Sequence, residues 1–152
     1  MATFIKIDDF VEGAMNEEHE LDADVIEIAL SITDPTNDGG TDVTASGNGI
    51  LANVTQISYT NYSDDLSGSD RVLTSVVSVE ASGTWKFDAD SFIITASGGT
   101  LADWRYLYVF NQTATTPDDP LIGVWDHGSA ITLLIGETAN ININASGMIT
   151  VA

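Results

Sequence analysis

Residues Trp104 to Asn144 constrain the fold more than any other part of this chain. They read WRYLYVFNQTATTPDDPLIGVWDHGSAITLLIGETANININ. Two apolar, aromatic strands flank a Thr/Pro/Asp turn, and a third ends in alternating Ile141 and Ile143 against Asn140, Asn142 and Asn144. Side chains on a strand alternate between its faces. Trp104, Tyr106, Tyr108 and Phe110 therefore share one face, and Leu107 and Val109 occupy the other. A strand apolar on both faces is covered on both. In a chain of 152 residues the second cover is open to another subunit, which moves the question from chemistry towards assembly.

The surrounding pattern is mostly β. Strands are predicted near 25–33, 71–81, 84–88, 91–96, 104–111, 121–126, 130–135, 138–144 and 147–151. The breaks fall at Ser82-Gly83, Asp88 to Asp90, Ser97 to Gly99, Pro117 to Pro120, Gly128, Gly136 and Gly147, all residues that turns favour. Near the start, Asp8 or Asp9 is placed to cap a short helix over 9–20. Its apolar side would be Phe10, Val11, Ala14 and Met15, and its wet face Glu12, Glu17, Glu18 and Glu20. Residues 34–49, DPTNDGGTDVTASGNG, read as a long turn-forming loop, and Ile50 to Tyr59 as a short helix or an irregular strand. Many short strands at this spacing predict an all-β chain, an antiparallel β-sandwich. It forms a single domain over 1–152, with an N-terminal segment over 1–22 that carries the helix. A domain of this length buries about 68–70% of its unfolded surface.

Charge removes whole classes of function. Twenty-three acids face four bases (Lys6, Arg71, Lys86 and Arg105), a formal charge of −19. Such a surface repels phosphate backbones, and so few cations cannot neutralise the roughly 6–10 phosphates of a DNA footprint. Nucleic acid is not an expected partner. Cysteine is absent, so there is neither a disulfide framework nor a thiolate metal site. The opening MATFIKIDDF lacks a signal peptide's basic and apolar regions, and no apolar run reaches 18 residues. Synthesis in a cytoplasm and no membrane partner are the expectations.

Candidate chemistry is thin. The two histidines are His19 and His127. Asp126 and His127 are adjacent on a strand and point to opposite faces, so they form no dyad, and a turn residue beside Gly128 is the plainer reading. No phosphate loop, HExxH or GxSxG occurs, so no catalytic residue, enzyme activity or cofactor is assigned. Asp34, Asn37, Asp38 and Asp42 are weak calcium candidates, as are Asp64, Asp65 and Asp70, because Ca²⁺ takes carboxylate and carbonyl oxygens. The EF-hand template fails at Thr36 and Ala45, where an Asp/Asn and a Glu belong, and a solvated turn explains the loop better. Sequons at Asn53, Asn61, Asn111 and Asn144 fit chance in a chain rich in Thr, Ser and Asn. Trp85, Trp104 and Trp125 have the makings of a sugar-stacking platform, although strand aromatics are more often core.

Several segments resemble a group of small virion structural proteins of tailed bacteriophages: Phe4, Lys6 and Phe10 leading into FVEGAM, then VIEIAL with its DP turn, LANVTQISYTNYS, the Phe92–Thr100 segment, and RYLYVFNQTAT followed by DDPLIGVWDHGSAITL. The resemblance covers nearly the whole chain and departs mainly at the 34–49 loop, which reads as a surface elaboration. It implies a capsid decoration (cement) protein, jelly-roll-like, that trimerises on the outer capsid surface and stabilises it. Its partners would be further copies of itself and the major capsid protein. Tail or fibre component, and carbohydrate-binding β-sandwich module, are the alternatives. Contact candidates are the Trp104, Tyr106, Tyr108 and Phe110 face or the N-terminal segment. Lys6, Arg71, Lys86 and Arg105 are the candidates for local charge pairing with the shell.

Overall fold

The computed structural model describes residues 2–16, 18–66 and 71–151. Strand and bridge residues make up 46% and helical residues 10%, so the fold is all-β with one α-helix. In chain order the elements are β1 (Thr3–Lys6), α1 (Asp8–Met15), β2 (Ile26–Ser31), β3 (Tyr62–Asp64), β4 (Val77–Ala81), β5 (Thr84–Asp88), β6 (Phe92–Ala96), β7 (Leu101–Asn111), β8 (Leu121–Leu133), β9 (Thr138–Ile141) and β10 (Ile149–Val151). All pairings between these strands are antiparallel. The described residues form one four-stranded sheet, β1-β8-β7-β2, and two three-stranded sheets, β10-β5-β4 and β3-β6-β9. A single sandwich-like core joins them, with Ile28 and Val109 from the first sheet, Phe87 from the second and Ile94 from the third.

The long hairpin of β7 and β8 forms the centre. Leu107 pairs with Trp125 and Val109 with Gly123 across it, while β2 lies on the other side of β7 with Leu30 opposite Leu107. The free edge of β2 is closed by the chain itself. Ile28 N–H donates to the Arg71 carbonyl, Leu73 N–H to Ile26 and Ile57 N–H to Leu30. An edge saturated in this way offers no template for strand addition. Between β4 and β5, Ser82 and Gly83 both have positive φ (56° and 85°), the tight hairpin turn whose twist matches its strands.

Both faces of β7 are apolar, as the sequence requires, but one chain covers both. Trp104, Tyr106, Tyr108 and Phe110 are buried, and so are Leu107 and Val109. The expectation that this aromatic face meets another subunit is therefore corrected, because its side chains have no surface left to offer. Part of the cover comes from the segment expected to be a solvated elaboration. In the 34–49 loop Pro35 and Val43 are buried, Val43 completely at 0% exposure. Val43 N–H donates to the Pro35 carbonyl, and Asp38 and Thr41 exchange backbone hydrogen bonds. Its backbone polar groups are satisfied locally, which lets a polar segment lie against a core.

The N-terminal helix is shorter than the reading over 9–20 and turns a different face inward. It ends at Met15, with Asn16 as its C-cap and no basic residue in its last turn. Glu18 N–H then closes back on the Gly13 carbonyl, and His19 packs against the Phe10 ring at 5.4 Å. Glu18 and Glu20 lie past the helix end, and Glu17 lies outside the described residues. Neither Asp8 nor Asp9 is the cap. Ile7 holds that position, and Asp9 instead accepts backbone N–H groups of Gly47 and Gly49 at 2.8–3.0 Å, tying α1 to the loop. Phe10 and Gly13 face the core. Val11 and Met15 stay 51% and 82% exposed, and Ala14 is exposed too.

Other differences lie at element ends. The runs at 121–126 and 130–135 are one strand, β8, in which residues 127–130 bow out. Tyr106 still pairs with Asp126 and Trp104 with Ile131, so the bulge absorbs the extra residues. Residues 71–76 are loop apart from a bridge between Glu27 and Val72. The segment over 50–59 is a 3₁₀ turn, Leu51–Asn53, and then irregular chain. The short edge strands β1 and β3 carried no alternation long enough to read.

A candidate binding cleft between the sheets

Alongside β7 and β8 the first sheet meets β9 and the chain leading to β10. A cleft of about 600 Å³ opens there. Its apolar lining includes Trp104, Leu107, Trp125 and Ile131 from the central hairpin and Phe92 from β6. Asn140, Asn142 and Asn144 line it from β9 and its continuation, and Arg105 and His127 add polar groups. The segment that carries the asparagine row thus borders the same cleft as two tryptophans from the central hairpin. Ile141 and Ile143 turn to the core, and the asparagines are exposed at the rim.

Each polar group is held by a different device. Arg105 Nε and Nη2 both donate to the Asp126 carboxylate at 2.7 Å, a fork-on-fork pair that leaves other guanidinium N–H groups unspent. This pairing holds the Asp126 carboxyl below the usual carboxylate range, helped by Gly128 N–H at 2.6 Å, and raises Arg105 further. His127 belongs to the bulge, with Nδ1 3.1 Å from the Ser129 carbonyl oxygen. Trp125 is braced by Phe4, with ring centroids 5.1 Å apart. Gly123 makes that brace possible, since a Cβ there would stand 2.7 Å from the Phe4 ring. Trp104 is only 2% exposed, and its indole N–H meets no acceptor among the described residues. An unpaired buried donor costs about 1–3 kcal/mol, and this one is enclosed by the core rather than open to the cleft. Asn140 and Asn142 make no side-chain hydrogen bond among the described residues.

The four bases chosen from the sequence are each committed to the chain's own acids. Lys6 pairs with Asp8 at 3.1 Å, Arg71 with Glu27 at 3.8 Å, Lys86 with Asp88 at 2.7 Å and Arg105 with Asp126 at 2.7 Å. Arg71 also lies over the Tyr59 ring at 4.1 Å. Burial pushes the Glu27 carboxyl up, which its partner Arg71 only partly offsets. A shell contact made by these bases would compete with or extend these internal pairs, the exposed Lys6–Asp8 pair being the weakest of them.

The calcium candidates are not brought together. Asp34 accepts from Thr36 N–H and Oγ1, both at 2.9 Å, while Asn37 donates its backbone N–H to the Asp34 carbonyl. Asp42 accepts from Thr44 N–H and Oγ1, which holds its carboxyl low. Asp38, 4% exposed, accepts from Thr55 N–H at 2.7 Å. Asp64 and Asp65 accept backbone N–H groups, and Asp70 lies outside the described residues. Among the described residues no three His, Cys, Asp or Glu side chains converge as a metal site would need. Asp34 and Asp42 are turn residues spent on their own loop, while Asp38 and Asp65 tie their loops to Thr55 and Ile93. Nor is any described helix long and apolar enough to cross a membrane.

Comparison of the chain with family models, with curated proteins and with solved structures returns no match.

Proposed function

We propose that this chain is a capsid decoration protein of a tailed bacteriophage. It docks on the outside of the shell as a homo-oligomer, most simply a trimer, and stabilises the shell without chemistry. The observation that carries this reading is the apolar outer face of α1. Val11, Ala14 and Met15 point to solvent along one stripe of a helix, on a chain of net charge −19. Met15 is the most exposed large apolar side chain among the described residues. An apolar patch in a repelling field marks a contact. The N-terminal segment takes over the contact role that buried Trp104, Tyr106, Tyr108 and Phe110 leave empty, and a second copy of this chain is its occupant. With its bases paired internally, the chain meets the major capsid protein through acids, and the shell supplies the cations. Phage origin rests on the resemblance of the sequence segments, and the outer capsid surface of the virion follows from it.

The test is a cryo-EM map of the particle together with thermal and osmotic survival of particles with and without the chain. The expected result is many copies on the capsid surface, neighbours meeting at α1, and poorer survival without them. Binding only the assembled shell stabilises it by about 2.7 kcal/mol per site at a hundredfold excess over Kd. Equal survival with the chain found in the tail overturns the assignment in favour of a tail component.

A further inference from the structure

We infer that the cleft between the central hairpin and β9 binds a neutral glycan, taking a pyranose ring against Trp125. Trp125 is half-buried, lines the cleft and is braced at its side by its cross-strand partner Phe4, which restricts the indole. Pyranose rings present apolar C–H faces that suit an aromatic surface, and their hydroxyls need donors and acceptors around the rim. The Asn142 amide offers both, and Arg105, its guanidinium fixed by Asp126, offers donors of constant direction. A net charge of −19 repels sulfated, sialylated or phosphorylated ligands, which confines the class to neutral sugars. This goes beyond docking on a shell, which uses α1 and the acidic exterior.

The experiment titrates the free full-length chain with maltohexaose, cellohexaose, chitohexaose and mannohexaose, and with a heparin hexasaccharide as the anionic arm. Tryptophan emission and calorimetry are the readouts. At least one neutral member is expected to give saturable binding with an emission change, at an affinity unaffected by moderate salt. Trp125→Ala should weaken it about tenfold, the change that corresponds to ~1.4 kcal/mol. Asn142→Ala, at an exposed rim position that does not threaten folding, should weaken it about threefold or more. No saturable response to any neutral member up to ~10 mM overturns the inference, since weaker binding lies below any specific site. So does binding that survives in both variants, or binding of the heparin arm alone. An emission change that follows protein concentration rather than sugar also overturns it and makes a second copy the occupant. Because the titration uses the free chain, a negative panel bears on the cleft, while the particle map bears on the virion assignment.

Discussion

Val43→Ala separates a packed 34–49 loop from a solvated one. Val43 lies in the middle of a Gly/Asp/Thr segment yet is 0% exposed, with its N–H bonded to the Pro35 carbonyl. Truncation to Ala removes two carbons, at about 0.8 kcal/mol per buried methylene, or ~1.6 kcal/mol in transfer alone. The cavity left behind adds roughly another 1 kcal/mol, because a loop pinned at both ends relaxes only partly. The expected cost is thus about 2–3 kcal/mol. At about 2–4 °C per kcal/mol for a domain of this size, Tm falls by roughly 4–12 °C. The assay is thermal and urea unfolding followed by circular dichroism, with Leu134→Ala as the control. Leu134 is 55% exposed, and its truncation should stay within about 0.5 kcal/mol. If Val43→Ala moves Tm no more than Leu134→Ala does, the loop is not part of the core and the account of how β7 is covered fails.

Asp9→Ala should cost about 2–3 kcal/mol in the same assay, because the buried Gly49 N–H loses its acceptor and Gly47 loses a charged one; a cost below about 0.5 kcal/mol would sever the proposed tie between α1 and the loop. Tyr108→Phe is expected to be neutral or stabilising by up to about 1 kcal/mol, since the buried Tyr108 hydroxyl has no partner among the described residues. A loss larger than about 1 kcal/mol would show that the hydroxyl is satisfied. Burial, which outweighs the pull of Asp24, lowers the His19 pKa below its ordinary value of about 6.5 and favours the neutral ring. The unfolded chain takes up the proton first as pH falls, so this contribution is complete above about pH 6.5 and shrinks below it. The Tm of the native chain minus that of His19→Gln should therefore decrease between about pH 7.5 and 5.5, and a constant difference would contradict the neutral assignment.

How much of this was legible in the sequence varied with the range of the interaction behind each feature. Strand alternation and turn residues are short-range, so β5 matched its predicted bounds and β2, β6 and β7 fell close to theirs. The breaks at Ser82-Gly83 and Gly128 marked a tight turn and a bulge, because few residues accept those backbone conformations. The apolar side of α1 was misread because Phe10-Val11-Ala14-Met15 and Ile7-Phe10-Gly13 are both valid helical stripes. His19 stacking on Phe10 and the Asp9 contacts with Gly47 and Gly49, separated from the helix in sequence, decided between them. The same holds for the cleft. Trp125 and the asparagine row were each visible, but no local rule says that β9 lies beside β7 and β8.

By itself the sequence determined that β7 is buried on both faces, since alternation leaves no polar side to give to water. It also determined that the exterior is acidic, since charges sum whatever the fold. What covers β7, which face of α1 stays outside and which side chains meet across the cleft were decided by tertiary structure. Covering an apolar face lowers free energy about equally well with a loop, a sheet or another subunit, because burial is proportional to area and indifferent to direction. Which cover wins depends on whether its backbone polar groups can be satisfied in place. In the 34–49 loop they are, through the Asp34 and Asp42 side chains and the Asp38–Thr41 backbone pair, and so a segment that reads as solvent-facing closes the core.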